Sequence, residues 1–551
     1  MNLITKWLHG IVPMLVAGLA HADATVTACG QDVWPGDART DLSEALQAGG
    51  RITFACAGTI AFTTTHALSR DVVIDGEGKV TLDGNGHRMF GIRAGVHASF
   101  TRITIRGGGT SGGNPGSVIS GEGAVSLLAG TTIRNSDRPI WLLAGNLVLR
   151  DAWIAENTGP VLVVSEGELD ISQNSRLTDN KGGEVLATGP GTTVRIADTQ
   201  FLRNGHASFG GSAAGNCEVT IRNAWFADNA DTQDGGAILS RCALTVEDSQ
   251  FERNRAGGDG GAIRQTHGAT AVMRKVTFRA NQAAGSGGAI AAVWDLQRQG
   301  SLRVRNSRFE RNVATRAGGA IYAGESALVE ISVDGFVGNT AGTAGGAIYA
   351  RQARLDSRGS LFRQNTANTG AAIQTLCMPA MGQIANTILV DNSAKQGAGA
   401  FHGGNVRFLN VTIAGNGSRP VQHAQLCGDT SAIEFANTIV LGNWNGACGG
   451  ADAQRTFRDL GHNLQFPGNA CGSTIPSVFP ILGPFYAPLR PLSPAGNGGD
   501  NALCMAAPIN GRDIFGTHRP QGEACSIGAV EGDLSTLFDR YWRKRRDALT
   551  K

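Results

Sequence analysis

The chain has 551 residues, ample for a large core, and 78 of them are glycine, about twice the usual share. Only 17% are charged and the net charge is +3, so no overall field draws it to nucleic acid, and no nucleic-acid partner is expected. Basic charge does cluster at Arg543-Lys544-Arg545-Arg546.

At the N-terminus, Lys6 precedes an apolar run from Ile11 to Ala20, followed by the small-x-small sites Ala20-His21-Ala22 and Ala22-Asp23-Ala24. Residues 1–24 therefore read as a secretory signal peptide. The run is too short to span a bilayer. No later segment has the length and apolarity of a transmembrane helix, so the expected location is extracellular, at the cell surface or in the periplasm. The ten cysteines suit such a compartment. Local spacing suggests Cys29 with Cys56, Cys217 with Cys242, and Cys504 with Cys525. The pairing of Cys377, Cys427, Cys448 and Cys471 is left open. No CxxC spacing occurs, which argues against zinc.

Residues 25–50 read as an N-terminal capping segment. Asp41 with Glu44 three residues on has capping-box spacing. Leu42, Ala45 and Leu46 make one apolar face, and Gly49-Gly50 stop the helix.

From residue 51 to 442 one pattern recurs. Phe251 to Ile263 reads FERNRAGGDGGAI, Phe278 to Ile290 reads FRANQAAGSGGAI, and Phe309 to Ile321 reads FERNVATRAGGAI. The asparagine closing each F-x-x-N, or a looser relative, falls at Asn135, Asn157, Asn180, Asn204, Asn229, Asn254, Asn281, Asn312, Asn339, Asn365, Asn392 and Asn416. The mean interval of roughly 25 residues implies a repeat architecture. Within a repeat, Leu244 and Val246 alternate with Thr245 and Glu247, a strand period. Twenty-five residues are too few for a propeller blade but suit one turn of a parallel β-helix. Roughly fifteen coils at about 4.8 Å each make a rod on the order of 70 Å long. Phenylalanines then stack inside. The asparagines, Asn204 to Asn365 above all, form a structural ladder. Asparagine tolerates the left-handed turn conformation and can pair backbone groups of adjacent coils. The Gly-Gly pair makes the opposite corner.

Residues 443–532 form a Pro- and Gly-rich C-terminal coil or cap region. In 533–551, Leu534, Leu537, Phe538, Tyr541 and Trp542 have the spacing of an amphipathic helix. It reads as a helical end cap, with contact to an anionic membrane or glycan through its basic residues as the other reading.

The F-x-x-N and G-G-A-I repeats from Asn135 to Asn416 resemble those of the chlamydial polymorphic outer-membrane proteins and related bacterial right-handed parallel β-helix proteins. The stretch Gly499-Asp500-Asn501-Ala502-Leu503-Cys504, Gly511-Arg512-Asp513, Arg519-Pro520 and Cys525-Ser526-Ile527-Gly528-Ala529-Val530-Glu531 is similar to the C-terminal motif of the choice-of-anchor Q proteins. Ser526 and Val530 depart from that family's usual C-D-I-G-A-F-E. These resemblances imply an all-β, single-stranded right-handed parallel β-helix that is secreted or displayed at a bacterial surface. The 20 residues after Glu531 are too few for an autotransporter barrel.

Chemistry is looked for beside the glycine corners. Arg264 and His267 follow one G-G-A-I, Trp294 and Asp295 the next, Tyr322 and Glu325 the third, and Tyr349 and Arg351 the fourth. Recurring offsets suggest one lateral strip on which Tyr and Trp stack against sugar rings. Carboxylates at matched offsets do not recur, and neither a P-loop nor H-E-x-x-H appears. The expected function is an adhesin-like or glycan-binding β-helix without catalysis or cofactor. Its partner would be carbohydrate or a cell surface, and it would act as a monomer. The alternative is a polysaccharide lyase or glycoside hydrolase working on acidic polysaccharide from a lateral groove, with calcium as its possible cofactor.

Overall fold

The computed structural model describes residues 23–34, 36, 39–109, 116–211, 217–267, 269–293, 300–325, 328–417, 419–423, 432–442, 446–449 and 456–532. Most of the expected signal peptide, the whole 533–551 segment, and Trp294, Asp295 and Cys427 lie outside these residues.

The chain is an all-β solenoid of stacked parallel strands. One coil shows how the sequence builds it. Ala243–Glu247 forms face 1, with Leu244 and Val246 inward and Ala243 and Thr245 outward. Gln250–Glu252 forms face 2, with Phe251 fully buried. Arg255–Ala256 is a two-residue strand, and Ile263–Gln265 forms face 3. Every residue pairs with its counterpart one coil away. Leu244 sits opposite Ala271, Phe251 opposite Phe278, and Ile263 opposite Ile290. Among the described residues, faces 1 and 2 hold 18 strands each, face 3 holds 16 and the short strand recurs in seven coils. The strand ladders run past residue 442, because Cys448–Gly449, Phe457–Asp459 and Leu464–Phe466 continue all three faces.

The core is a set of columns. Phe201, Phe226, Phe251, Phe278, Phe309, Phe336 and Phe362 stack face to face. Their centroids are 4.6 to 5.1 Å apart and their planes lie within 15°. That spacing is the interstrand distance itself, so each added coil buries one ring against the last. Beside them runs the asparagine column. Asn254 Oδ1 accepts both the backbone N–H (3.1 Å) and the side-chain amide (2.9 Å) of Asn229. Its own amide donates to Phe226 O and to Asn281 Oδ1. The same pattern links Asn157 through Asn416.

Two expectations about this ladder are corrected. The left-handed residue is the one before each asparagine, such as Asp228, Arg253 and Arg311, and not the asparagine. The asparagine is selected for its amide, which satisfies buried backbone groups. Asn135 is not a rung either. It has φ 50° and so occupies the preceding position, while the backbone N–H of Ser136 donates to Asn157 Oδ1. At the opposite corner both glycines are needed. Gly260 has φ 73°, and a Cβ on Gly261 would overlap the carbonyl oxygen of Gly288.

The N-terminal helix Leu42–Ala48 is capped by Asp41, whose carboxylate accepts from Glu44 N. It buries Leu42, Ala45 and Leu46. The segment around it also supplies strands, since Ala24–Val26 pairs with Ile52 to Phe54 and Gly30 with Ile60.

At the other end, the part of residues 443–532 beyond the last strands turns back along the side of the rod. This strap touches Arg358, where Pro508 O accepts from Nη1 (3.4 Å), and reaches His462, whose Nδ1 lies 2.9 Å from Gly498 O. It docks on the corner between faces 1 and 2. Asn437 Oδ1 accepts from Asp500 N, Asn386 donates to Arg512 O, and Ala529 N donates to Thr412 Oγ1. Its apolar residues fill the gaps: Ile509 packs with Ala385, Leu409 and Ala436, and Ile527 with Ile439 and Leu464. The strap is tied by a buried ion pair. Arg519 Nη1 donates to Glu531 Oε2 (3.3 Å), and both side chains are fully buried. Arg519 also donates to Ser526 O, Gly528 O and Asn386 Oδ1, while Glu531 accepts from Arg490 and from the amides of Ser526 and Gln521. Burial lowers the affinity of Arg519 for its proton, against the pull of Glu531 and then Asp513.

Disulfides join Cys29 to Cys56, Cys217 to Cys242, Cys448 to Cys471 and Cys504 to Cys525. Cys377 is disulfide-bonded as well.

Candidate functional site

Face 3 carries the residues that follow the glycine corners. Inward Ile263 and Gln265 alternate with outward Arg264, and the same holds for Tyr322 and Tyr349. Strand register puts Arg264, Ala291, Tyr322, Tyr349, Gln374 and His402 in one outward column. Tyr322 and Tyr349 stack with centroids 5.6 Å apart and planes 12° from parallel. Burial, and then Tyr322, push the Tyr349 phenol above its usual value, against Arg351.

The expected strip is only partly one column. Arg351 lies two residues further along its strand, opposite Gly324. His267 and Glu325 sit in the turn after face 3, both with left-handed backbone, φ 64° and 57°. They flank the column and do not belong to it, because a turn breaks the strand's alternation. Trp294 and Asp295 lie outside the described residues.

A second group lies where face 3 meets the short-strand corner, with His206 five coils and Asp231 four coils earlier in the stack than Tyr349. A cleft of about 680 Å³ opens there, bordered by Glu184, His206, Asp231, Leu239, Arg241 and His267. His206 is 8% exposed. Its Nδ1 lies 2.8 Å from Asp231 Oδ2, and its Nε2 is 3.8 Å from Glu184 Oε1. Burial works to raise the Asp231 carboxyl, but the His206 hydrogen bond, the Gln233 amide and the charge of His206 hold it below the usual carboxylate range. Arg264 reaches toward the rim of this group, with Nε 3.4 Å from Asp234 and Nη1 3.6 Å from Asp259. The Cys217–Cys242 disulfide underlies the cleft beside Arg241, in van der Waals reach of Gly210. Among the described residues, no group of three His, Cys, Asp or Glu is arranged to hold a metal ion.

The sequence carried a signal for this cleft. Two residues after the ladder asparagine stands alanine in six coils: Ala256, Ala283, Ala314, Ala341, Ala367 and Ala394. At the same offset from Asn204 and Asn229 stand His206 and Asp231. Offsets counted from the glycine corner, the ones used to define the strip, do not pick them out.

Residues 275–293, 306–324 and 336–351 match the Chlamydia polymorphic membrane protein repeat. These segments contain Tyr322 and Tyr349 and the Phe278, Phe309 and Phe336 columns. No curated protein matches the chain, and no solved structure matches it. The chain is thus a parallel β-helix protein with repeats of the polymorphic membrane protein type.

Proposed function

We propose that this chain is an exported, adhesin-like β-helix protein that binds a glycan or a neighbouring cell surface through face 3. The single observation behind this reading is a coincidence of position. The segments that match a repeat named for membrane proteins also display the stacked Tyr322–Tyr349 pair on an outward strand column. A rigid solenoid holds such side chains at fixed spacing, so little ordering entropy is lost when an extended ligand lies along them. Aromatic faces suit the C–H faces of sugars, and Arg264, Arg351 and His402 supply hydrogen bonds along the same face. Gly499 to Glu531 is read as a choice-of-anchor Q-like module whose role here is to brace the rod. The whole chain would work as a monomer, without a cofactor.

One observation favours the second reading, a polysaccharide lyase or glycoside hydrolase. Glu184, His206 and Asp231 place two carboxylates and an imidazole within hydrogen-bond or near-contact distance at the wall of a cleft. The two readings separate in one experiment. The mature chain is screened for binding to immobilised neutral and acidic glycans, and the same glycans are incubated with it, with and without calcium. Unsaturated products are followed by ultraviolet absorbance and reducing ends by colorimetry. Retention without turnover is the expected result. Turnover lost in His206→Ala would overturn the non-catalytic reading.

A further inference from the structure

The corner after the ladder asparagine is built with buried alanine in six coils, and three of those alanines pack together with Ala371. The fold therefore does not need a polar side chain there. In the two preceding coils the same offset holds an imidazole and a carboxylate, both largely buried and paired at 2.8 Å. Replacing methyl groups by such a pair costs desolvation that the architecture does not demand.

The pair is also incomplete. His206 Nδ1 faces the Asp231 carboxylate, which leaves Nε2 as the ring's other hydrogen-bonding atom. That Nε2 is buried and has no hydrogen-bond partner. Buried polar atoms are nearly always paired, so an unfilled one facing a cleft points to a ligand. Glu184, 3.8 Å away, is more than a third exposed.

The rest of the cleft repeats the theme. Arg241 Nε is buried without a hydrogen bond. Asp234 and Glu184 present acceptors on the same wall, and Leu239 and Ala187 give an apolar floor. Donors, acceptors and apolar surface thus alternate over a volume within the range of small-molecule sites.

We propose that this cleft is a binding site for a neutral saccharide, with His206 Nε2 hydrogen-bonded to a ring hydroxyl and Arg241 donating to its neighbour. A hydroxyl both donates and accepts, which matches a wall where guanidinium and carboxylate groups stand side by side. A uronate carboxylate would instead meet Glu184 and Asp234, a like-charge contact. The proposal rests on the glycan-binding reading above and names the ligand class and a second contact point for it.

The test uses the full mature chain and calorimetric titration with maltohexaose, cellohexaose and chitohexaose as neutral probes and hexagalacturonate as the acidic one. The double variant His206→Ala/Asp231→Ala rebuilds the corner as the six later coils build it. It should keep the melting temperature and lose at least about tenfold in affinity for the neutral probe that binds. Arg241→Ala, on the rim, should weaken binding in the same direction. The proposal is overturned if both variants bind like the wild type, or if only hexagalacturonate binds. Binding lost in Tyr322→Ala/Tyr349→Ala but kept in the cleft variants overturns the cleft and leaves the face 3 strip standing. No binding of any probe by the wild type overturns both.

Discussion

The carboxamide oxygen of Asn254 takes two hydrogen bonds from Asn229, one from the backbone N–H at 3.1 Å and one from the side-chain amide at 2.9 Å. Each coil is therefore locked to the next by one side chain that is fully buried. Truncating Asn254 to alanine removes the acceptor of the Asn229 backbone N–H and side-chain amide, and one donor each from Phe226 O and Asn281 Oδ1. Each unsatisfied buried group costs about 1–3 kcal/mol, so the loss should be at least ~3 kcal/mol. Asn254→Asp should be worse, since it sets a buried carboxylate oxygen against Phe226 O and Asn281 Oδ1, two acceptors that alanine does not crowd. Urea midpoints of the two variants against wild type check the order.

Asp334 stands where neighbouring coils use Ser307 and Ser360, whose hydroxyls accept from the coil before and donate to their own strand. Burial pushes its carboxyl up to about 7, against backbone donation from Ser307 and Ser332. The folded state thus prefers the neutral acid. The unfolded chain releases the proton near its ordinary value of 3.8, so stability should fall as pH rises from about 4 and stop falling above about 7. The shift corresponds to roughly 4 kcal/mol at most. Asp334→Ser should remove that slope and be more stable than wild type at pH 8. Below pH 4 the advantage should vanish. Unfolding midpoints across this range decide it.

Arg519 and Glu531 carry the strap. Removing one partner of a buried pair costs up to about 3–5 kcal/mol, reduced here because Arg490 stays paired with Glu531. Arg519→Ala should release residues from Pro484 onward while the phenylalanine column stays intact. Hydrogen exchange should show faster labelling between Gly499 and Glu531 and unchanged protection around Phe278. Equal loss of protection in both regions would mean the strap and the coils unfold as one unit.

The coil was legible because its signals are local and repeated. Phe251, Asn254 and Gly260-Gly261 recur at matched offsets, and a parallel ladder turns equal offset into equal height. The turn chemistry was less so. Either residue at an Arg253-Asn254 corner can take a left-handed φ on general grounds, and only the backbone shows that Arg253 does. Asn135 misled for the same reason, since an asparagine one residue early suits the turn but cannot reach the ladder. Residues 443–532 read only as a Pro- and Gly-rich coil or cap region, and no local pattern says that Cys525 to Glu531 packs sideways against Thr412 and Asn437. Those partners are separated by roughly a hundred residues of chain. In the site, Tyr322 and Tyr349 followed from register. His206 and Asp231 were visible only as departures from alanine, counted from the other corner.

The most direct test of the functional account is calorimetric titration of the chain with the best-retained glycan of the screen, wild type against Tyr322→Ala/Tyr349→Ala. Both side chains are outward and partly exposed, so folding should be unaffected. The account predicts at least about a tenfold loss of affinity in the double variant, the scale of losing aromatic contacts at a binding face. Unchanged affinity, with the fold intact, would contradict a ligand-binding role for face 3.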